Sequence, residues 1–211
     1  MFKTMLLALL FGIPVSSLAL NSRQLAAEDS LGRFRNTYYY VVREQDYEHL
    51  PKNDVLLAPE GEVLARVSKA FREALDIEGT GRLIDGRLVN FARLKAGRIR
   101  YIVTTSPFGL GVGNCELRPF RTVAVDPKTI PLGATVRIAE TVGMVLPNGE
   151  IHDGIWHAED RGGAIRGDRI DLFVGEGDQG SVLKSVGIKT LKPLTVFLIE
   201  NPRASSCVNK R

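Results

Sequence analysis

Two carboxyl groups, those of Asp160 and Asp171, flank a glycine-rich stretch that separates two strand-like runs of the sequence. A turn of this kind brings the ends of two strands together, so we expect both acids in one groove. A third aspartate, Asp126, ends another strand-like run and precedes a proline. Crowded carboxyl groups beside a partly apolar wall have raised pKa values, which is the condition for acid–base chemistry near neutral pH.

Side-chain alternation predicts where these acids point. Successive side chains of a strand lie on opposite faces, so Ile170 and Leu172 share one face and Asp171 occupies the other. If the two aliphatic residues fill a core, Asp171 faces a cleft, and the same alternation separates Asp160 from His157. Any one aspartate taken alone is more simply interpreted as a turn cap, because aspartate often hydrogen-bonds the turn that follows it.

The surrounding elements are predicted to be mostly strands. The predicted strands cover 34–43, 101–105, 122–125, 135–138, 155–158, 170–174 and 195–199. One helix is predicted over 60–77 from the helical spacing of its apolar residues, with Gly79 beyond its end, and a second, short helix within 175–186. Short strands between Gly and Pro turns favour a small barrel over an open α/β sheet.

The chain of 211 residues, with a net charge of +4, has the composition of one compact domain. Residues 1–19 have the pattern of a secretory signal peptide, and their apolar run is short for the alternative, an uncleaved membrane anchor. We therefore expect an exported chain, periplasmic or extracellular, with no stable membrane anchor. A spacer over 20–33, one domain over 34–201 and a basic tail over 202–211 are predicted to follow.

Charge and cysteine content restrict the partners. A basic protein outside the cytoplasm is attracted to anionic polymers, mainly cell-wall material or lipid head groups. Its basic residues are scattered among acids without interleaved aromatics, which argues against nucleic acid. The only cysteines, Cys115 and Cys207, either pair in an oxidising compartment or stay as two thiols.

Several side chains are candidates for binding a ligand. Glu78 precedes a loop whose glycines would let a ligand approach the backbone, although it could equally be a surface charge at a helix end. Trp156, the only tryptophan, is either a sugar-stacking platform or a core residue. A metal site is the weaker possibility and would use His152, Asp153, His157 and Asp160. Because the histidine spacing fits no standard zinc motif, we expect no metal or other cofactor.

Four sequence blocks, in order, resemble a known family. They are Ala124-Val125-Asp126-Pro127, Ile130-Pro131-Leu132-Gly133, Asp160-x-Gly162-Gly163-Ala164-Ile165-Arg166-Gly167 and Ile170-Asp171-Leu172-Phe173. These look like the signature blocks of the three-aspartate (3D) domain of membrane-bound lytic transglycosylase A and of secreted wall-remodelling proteins. The resemblance implies a mainly β fold, a six-stranded double-psi β-barrel with one or two helices in inserts.

The resemblance also implies an activity. Proteins of this family cleave peptidoglycan between N-acetylmuramic acid and N-acetylglucosamine without water, which leaves a 1,6-anhydromuramic end. The essential acid of the family matches Asp171, with Asp160 and Asp126 in the same groove. Gly162 and Gly163, in the same signature block, are candidate substrate-binding residues.

The sequence departs from the family pattern in two respects, and two other functions are possible. Arg161 stands where an uncharged residue is common, so it either pairs with a groove carboxylate, points outward or binds a muramyl peptide carboxylate. The chain is also too short for the large second domain of the membrane-bound enzyme, so inserts at 44–95 and 108–119 must build the groove. The alternatives are a non-catalytic, wall-loosening glycan-binding module, as in expansins, and a peptidoglycan hydrolase. In each case we expect a monomer.

Overall fold

Eleven strands and two α-helices make up the fold of residues 29–209, the part of the chain that the computed structural model describes. The strands are β1 (Asp29–Arg43), β2 (Asp54–Leu57), β3 (Val63–Val67), β4 (Thr80–Arg82), β5 (Leu88–Lys95), β6 (Arg98–Thr104), β7 (Thr122–Ala124), β8 (Thr135–Ile138), β9 (Ile155–Asp160), β10 (Arg169–Glu176) and β11 (Pro193–Glu200). The helices are α1 (Lys69–Glu78) and α2 (Gly180–Ser185).

Six strands close into a barrel. Around the ring the order is β1, β10, β7, β9, β8 and β11, and β1 closes it by pairing in parallel with β10 and antiparallel with β11. Alternate residues fill the interior, where Trp156, Ile170 and Leu172 are fully buried. Burial of each such side chain contributes about 1.5 to 3 kcal/mol. The mainly β fold with a closed six-stranded barrel and two helices confirms the predicted fold class.

Strands β2–β6 and helix α1 form a second lobe beside the barrel. The far end of β1 leaves the barrel and pairs with β4, which continues into β5 and β6. Helix α1 begins after Ser68, whose hydroxyl accepts a hydrogen bond from the Phe71 N–H (3.2 Å), and ends at Gly79 in the left-handed region (φ 81°). A side chain at Gly81 of β4 would come within 2.9 Å of Leu75, so glycine is what lets the helix pack against this strand.

The predicted helix over 60–77 is wrong in its first half. Residues 63–67 form β3, which pairs with β2 in a separate hairpin, and the helix begins only at Lys69. Leu64 and Val67 belong to β3, and Phe71 belongs to the helix that follows it directly. Their spacing therefore imitates a helical repeat although no single helix contains all three. The N-cap at Ser68 marks the true start.

Other boundaries also differ from prediction. Strand β1 begins at Asp29, within the predicted spacer, because residues 29–34 pair with β11. Strands β2, β4 and β5 were not predicted. No helix of the described residues 29–209 is long and apolar enough to cross a membrane, and the predicted signal peptide lies outside them.

A disulfide joins Cys115 to Cys207, 92 residues apart, and fastens the C-terminal segment to the connection between β6 and β7. On either side of this bond, two short 3-10 helices, Val112–Asn114 and Cys207–Asn209, pack together. Gly113 adopts a left-handed conformation (φ 64°), and a side chain there would collide with the backbone of the second helix. The predicted basic tail is therefore held in place over its described part, up to residue 209.

Candidate active site

A cleft of about 690 Å³ separates the barrel from the second lobe. The barrel side presents Tyr39, Ala124, Asp160 and Asp171, and the side of the second lobe presents Ile77, Glu78, Phe91, Ile99 and Ile102. A third wall is the segment 110–114 beside the disulfide. The barrel wall of the cleft is thus acidic, and the wall of the second lobe combines apolar side chains with Glu78. Both inserts expected to build a groove contribute to the cleft.

Four residues on four adjacent strands form one register row along the acidic wall. Thr37 of β1 pairs with Asp171 of β10, Asp171 with Ala124 of β7, and Ala124 with Asp160 of β9. Since adjacent strands lie about 4.8 Å apart, the Cα atoms of Asp160 and Asp171 are separated by roughly 10 Å. Ala124, which lies between them in the row, is buried against Tyr39, Leu117 and Phe173.

Asp160 reaches this row because of an irregularity in β9. Ala158 and Asp160 pair with consecutive residues of β7, so Glu159 is an extra residue in the strand. Regular alternation from the buried Ala158 would point Asp160 into the barrel, and the bulge turns it outward to the cleft. The structure thereby brings Asp160 and Asp171 together.

Asp171 has the environment of a proton donor. Its carboxyl group is half-buried, and this burial raises its pKa to about 6. The Thr37 hydroxyl donates a hydrogen bond of 2.5 Å to Oδ1, and this bond and the nearby charge of Arg169 oppose the rise. Oδ2 has no hydrogen-bond partner among the described residues, so it is available to a ligand in the cleft.

Asp160, in contrast, has both oxygens occupied. Its Oδ2 accepts a hydrogen bond from the Tyr39 hydroxyl (2.8 Å), and its Oδ1 accepts one from the Arg161 backbone N–H (2.8 Å). Burial raises the pKa of Asp160 to about 6 against these two bonds, and the charge of Asp171 adds to the rise. Burial, with Asp160 next to it, holds the pKa of Tyr39 well above its usual range, so this hydroxyl stays a donor.

Glu78 is the third acid of the cleft. It lies at the C-terminal end of α1, where its Oε2 accepts a hydrogen bond from the Tyr40 backbone N–H (3.0 Å). Burial, with smaller contributions from Asp171 and Asp178, raises its pKa to about 7 against the effect of that hydrogen bond. Glu78 therefore lines the cleft and is not a simple surface charge.

Residues 121–191 match the family model of the 3D domain. Over these residues the chain is similar to the 3D domain. This domain includes the three predicted aspartates, whereas Thr37, Tyr39 and Glu78 precede it and reach the cleft through β1 and α1. Sequence reasoning missed Thr37 and Tyr39 as site residues, because their partners lie more than 120 positions away.

Two solved structures share the fold that contains this 3D domain. The crystal structure of Escherichia coli MltA with bound chitohexaose has a TM-score of 0.56 at 16% identity, covering 81% of this chain and 73% of that chain. A membrane-bound lytic murein transglycosylase from Agrobacterium tumefaciens has a TM-score of 0.56 at 15% identity, covering 86% and 79%. No curated protein sequence matches this chain. At these identities the similarity establishes a common fold.

The first aspartate of the 3D domain, Asp126, does not line the cleft. Its carboxylate accepts hydrogen bonds from the backbone N–H groups of Gly167 (2.8 Å) and Lys128 (3.0 Å), which lower its pKa. It thus ties the glycine-rich segment 162–167 to the turn after β7. The expectation that Asp126 crowds the catalytic acid is corrected, because its carboxylate is used in this connection.

We expect Asp126→Ala to lower the free energy of unfolding, because two backbone donors lose their acceptor. The folded-state pKa of Asp126 is lowered, so its contribution is present above the unfolded-state pKa and is lost as pH falls through the folded value. Urea unfolding of both proteins between pH 7 and pH 2 should give a difference that shrinks toward pH 2. Asp126→Asn, which keeps an acceptor oxygen, is the control, and a pH-independent difference would contradict the assignment.

The glycine-rich segment of the 3D domain forms the mouth of the cleft. Gly162 and Gly163 line it, and the exposed Arg161 extends beside them with no side-chain hydrogen bond among the described residues. The charge of Arg161 lowers the pKa of Asp160, although the two side chains form no ion pair. A guanidinium at this position is available to an anionic group on a ligand.

Trp156 is not available to a ligand. It is fully buried in the barrel, its Nε1 donates to the Thr141 hydroxyl (3.0 Å), and its ring stacks on His152 at 5.1 Å between centroids. The sugar platform considered for Trp156 is therefore corrected to a core position. Of the two aromatic residues that line the cleft, Tyr39 is buried and Phe91 on β5 is 46% exposed.

The histidine–aspartate grouping considered for a metal is not assembled. Both ring nitrogens of the buried His152 are engaged, one with the Phe120 carbonyl and one with the Gly154 N–H. Within residues 29–209 the one group with metal-like spacing is formed by Cys115, Glu159 and Cys207. Its two sulfur atoms are bonded to each other, which removes them as thiolate ligands.

Proposed function

We propose that this chain is an exported lytic transglycosylase that cleaves peptidoglycan glycan strands and uses Asp171 as its single acid and base. The observation that carries the proposal is the contrast between the two carboxyl groups of the row. Burial raises the pKa of both groups to about 6, but Asp171 has an oxygen open to the cleft, whereas both oxygens of Asp160 are held by Tyr39 and Arg161. One carboxyl group is equipped for proton transfer, and the other supports it.

The reaction needs one proton that is given and then recovered. Protonated Asp171 donates its proton to the glycosidic oxygen as the bond from this oxygen to C1 of the muramic residue breaks. The departing sugar leaves with a hydroxyl group, and C1 gains oxocarbenium character. The 6-hydroxyl of the same muramic residue then attacks C1, and its proton passes to the Asp171 carboxylate, which closes the anhydro ring and restores the acid.

A hydrolase is the second candidate, because the cleft presents two carboxyl groups, those of Asp160 and Asp171. Inverting hydrolases use one carboxyl group as the acid and a second as the base that activates a water molecule. Such an enzyme needs the second carboxylate as a base. Both oxygens of Asp160 already accept hydrogen bonds, from Tyr39 and from Arg161, so neither is free to take a proton from water, which supports the single-acid reaction.

The shape and charge of the cleft support a glycan ligand. Its apolar side chains, with the exposed Phe91 ring, suit the apolar face of a sugar, and the structurally similar MltA was crystallised with chitohexaose. Arg161 at the mouth is placed to bind the carboxylate of a muramyl peptide. We propose that these features, together with the predicted export, direct the protein to cell-wall peptidoglycan as a monomer.

Incubation of the purified protein with peptidoglycan sacculi tests this proposal. We expect soluble muropeptides with 1,6-anhydromuramic ends, detected by mass spectrometry as products 18 Da lighter than their hydrolysed counterparts, which is the mass of one water molecule. Reducing ends would indicate hydrolysis. Binding to sacculi without soluble products would indicate the wall-loosening module. Asp171→Asn, treated in parallel, controls for a contaminating activity.

A further inference from the structure

We propose that Thr37 and Arg169 are positioning residues that make Oδ2 of Asp171 the atom that donates and recovers the proton. This inference rests on the proposed function and adds two residues and one atom to it. Thr37 lies outside the 3D-domain match, on the strand that closes the barrel.

A chain of hydrogen bonds fixes the direction of the Thr37 hydroxyl. Nη2 of Arg169 contacts Oγ1 of Thr37 at 3.4 Å, and Oγ1 of Thr37 lies 2.5 Å from Oδ1 of Asp171. A guanidinium only donates, so the Thr37 oxygen is the acceptor of that contact. Within residues 29–209, Asp171 is the one acceptor that its hydroxyl proton reaches.

The direction of that bond assigns the two oxygens of Asp171. Oδ1 accepts the hydroxyl proton of Thr37, so a proton bound to the carboxyl group lies on Oδ2. Oδ2 is also the oxygen with no partner among residues 29–209, and Asp171 lines the cleft. The transferable proton is therefore held on the oxygen that can face the glycosidic bond, with no rotation of the side chain.

The guanidinium of Arg169 forms no ion pair within residues 29–209. Among the described residues its Nε is buried without a hydrogen bond, and its Nη1 is 3.5 Å from the Ala164 carbonyl. Arg35, opposite it in the β1–β10 pairing, instead forms an ion pair with Asp168 (2.8 Å). Arg169 is thus free to act on Thr37 and on the carboxylate of Asp171.

Charged groups from several elements act on the Asp171 proton. Burial favours the protonated acid, and the carboxyl groups of Asp160 on β9 and Glu78 on α1 also disfavour a second negative charge in the cleft. Thr37 and Arg169 favour the carboxylate. Their balance leaves Asp171 protonated often enough to donate and stable enough as an anion to recover the proton.

The test is the pH dependence of glycan cleavage by Thr37→Val, which removes the hydroxyl and keeps the shape, with Thr37→Ser as the matched control. We expect the pH at which activity falls on the alkaline side to rise by about one unit in Thr37→Val, with turnover about tenfold lower, because the carboxylate loses a charge-assisted hydrogen bond. Thr37→Ser should restore both. Arg169→Gln should shift the profile in the same direction, and Arg169→Lys should shift it less.

Two results together would mean that these residues only support packing. The pH profile would be unchanged in Thr37→Val and Arg169→Gln, and Thr37→Ser would lower turnover as much as Thr37→Val does. If the unaltered protein proves inactive, the proposed function fails and the inference is tested separately. In that case a carbon-13 NMR titration of the Asp171 carboxyl, assigned with Asp171→Asn, must still show a higher pKa in Thr37→Val. A pKa equal to that of the unaltered protein would overturn the positioning role.

Discussion

Asp171→Asn is expected to fold normally and to release anhydromuropeptides from sacculi at least 100-fold more slowly than the unaltered protein. General acid catalysis contributes about 10²- to 10⁴-fold, and an amide cannot donate the carboxyl proton or take it back. The amide oxygen can still accept the Thr37 hydrogen bond, so the strand pairing around it is preserved. Product release at a fixed protein concentration, followed by mass spectrometry, measures the effect.

Asp168→Asn is the matched control for this prediction. Asp168 precedes β10 and forms an exposed ion pair with Arg35 outside the cleft, and such pairs contribute little to stability. Its activity should stay close to that of the unaltered protein. If Asp171→Asn retained turnover while Asp160→Asn lost it, the acid would have to be reassigned to Asp160.

The second large effect is on stability. Replacing both cysteines, as Cys115→Ala with Cys207→Ala, is expected to lower the free energy of unfolding by roughly 4.6 kcal/mol. The bond closes a loop of 92 residues, and the chain-entropy model predicts a loss of that order when such a cross-link is removed. Thermal or urea unfolding without reductant measures it.

Reductant provides the control for this prediction. It should lower the melting temperature of the unaltered protein toward that of the double variant and leave the variant unchanged. The segment 110–114 lines the cleft next to Cys115, so glycan cleavage should also weaken. Equal melting temperatures for the two proteins without reductant would show that the C-terminal segment stays in place without the bond.

The disulfide and Asp171 contribute to different walls of the same cleft. The barrel wall that carries Asp160 and Asp171 is held by strand pairing, whereas the wall at 110–114 is held by packing against Cys207–Asn209 and by the disulfide. A loss of activity with the disulfide, without a change in the pH profile, would therefore reflect the shape of the cleft. A change in the pH profile would instead indicate the environment of Asp171.

The sequence by itself determined the features that depend on local order. Four blocks identified the 3D domain, and the alternation of Ile170, Asp171 and Leu172 predicted a buried pair with an acid on the opposite face, which is the arrangement observed. The left-handed Gly79 at the end of α1 is likewise a local signal. Such patterns can be recognised in the sequence because strand alternation and helix ends depend on residues that are only a few positions apart.

Tertiary structure decided what depends on distant partners. The bulge that turns Asp160 outward exists only in its pairing with β7, and the hydrogen bonds to Thr37 and Tyr39 join positions more than 120 residues apart. Asp126 has the same sequence signal as Asp160, yet two backbone N–H groups draw it away from the cleft. Side-chain type specifies what chemistry is available, and only the packing of separate strands decides which carboxyl oxygen is left free to perform it.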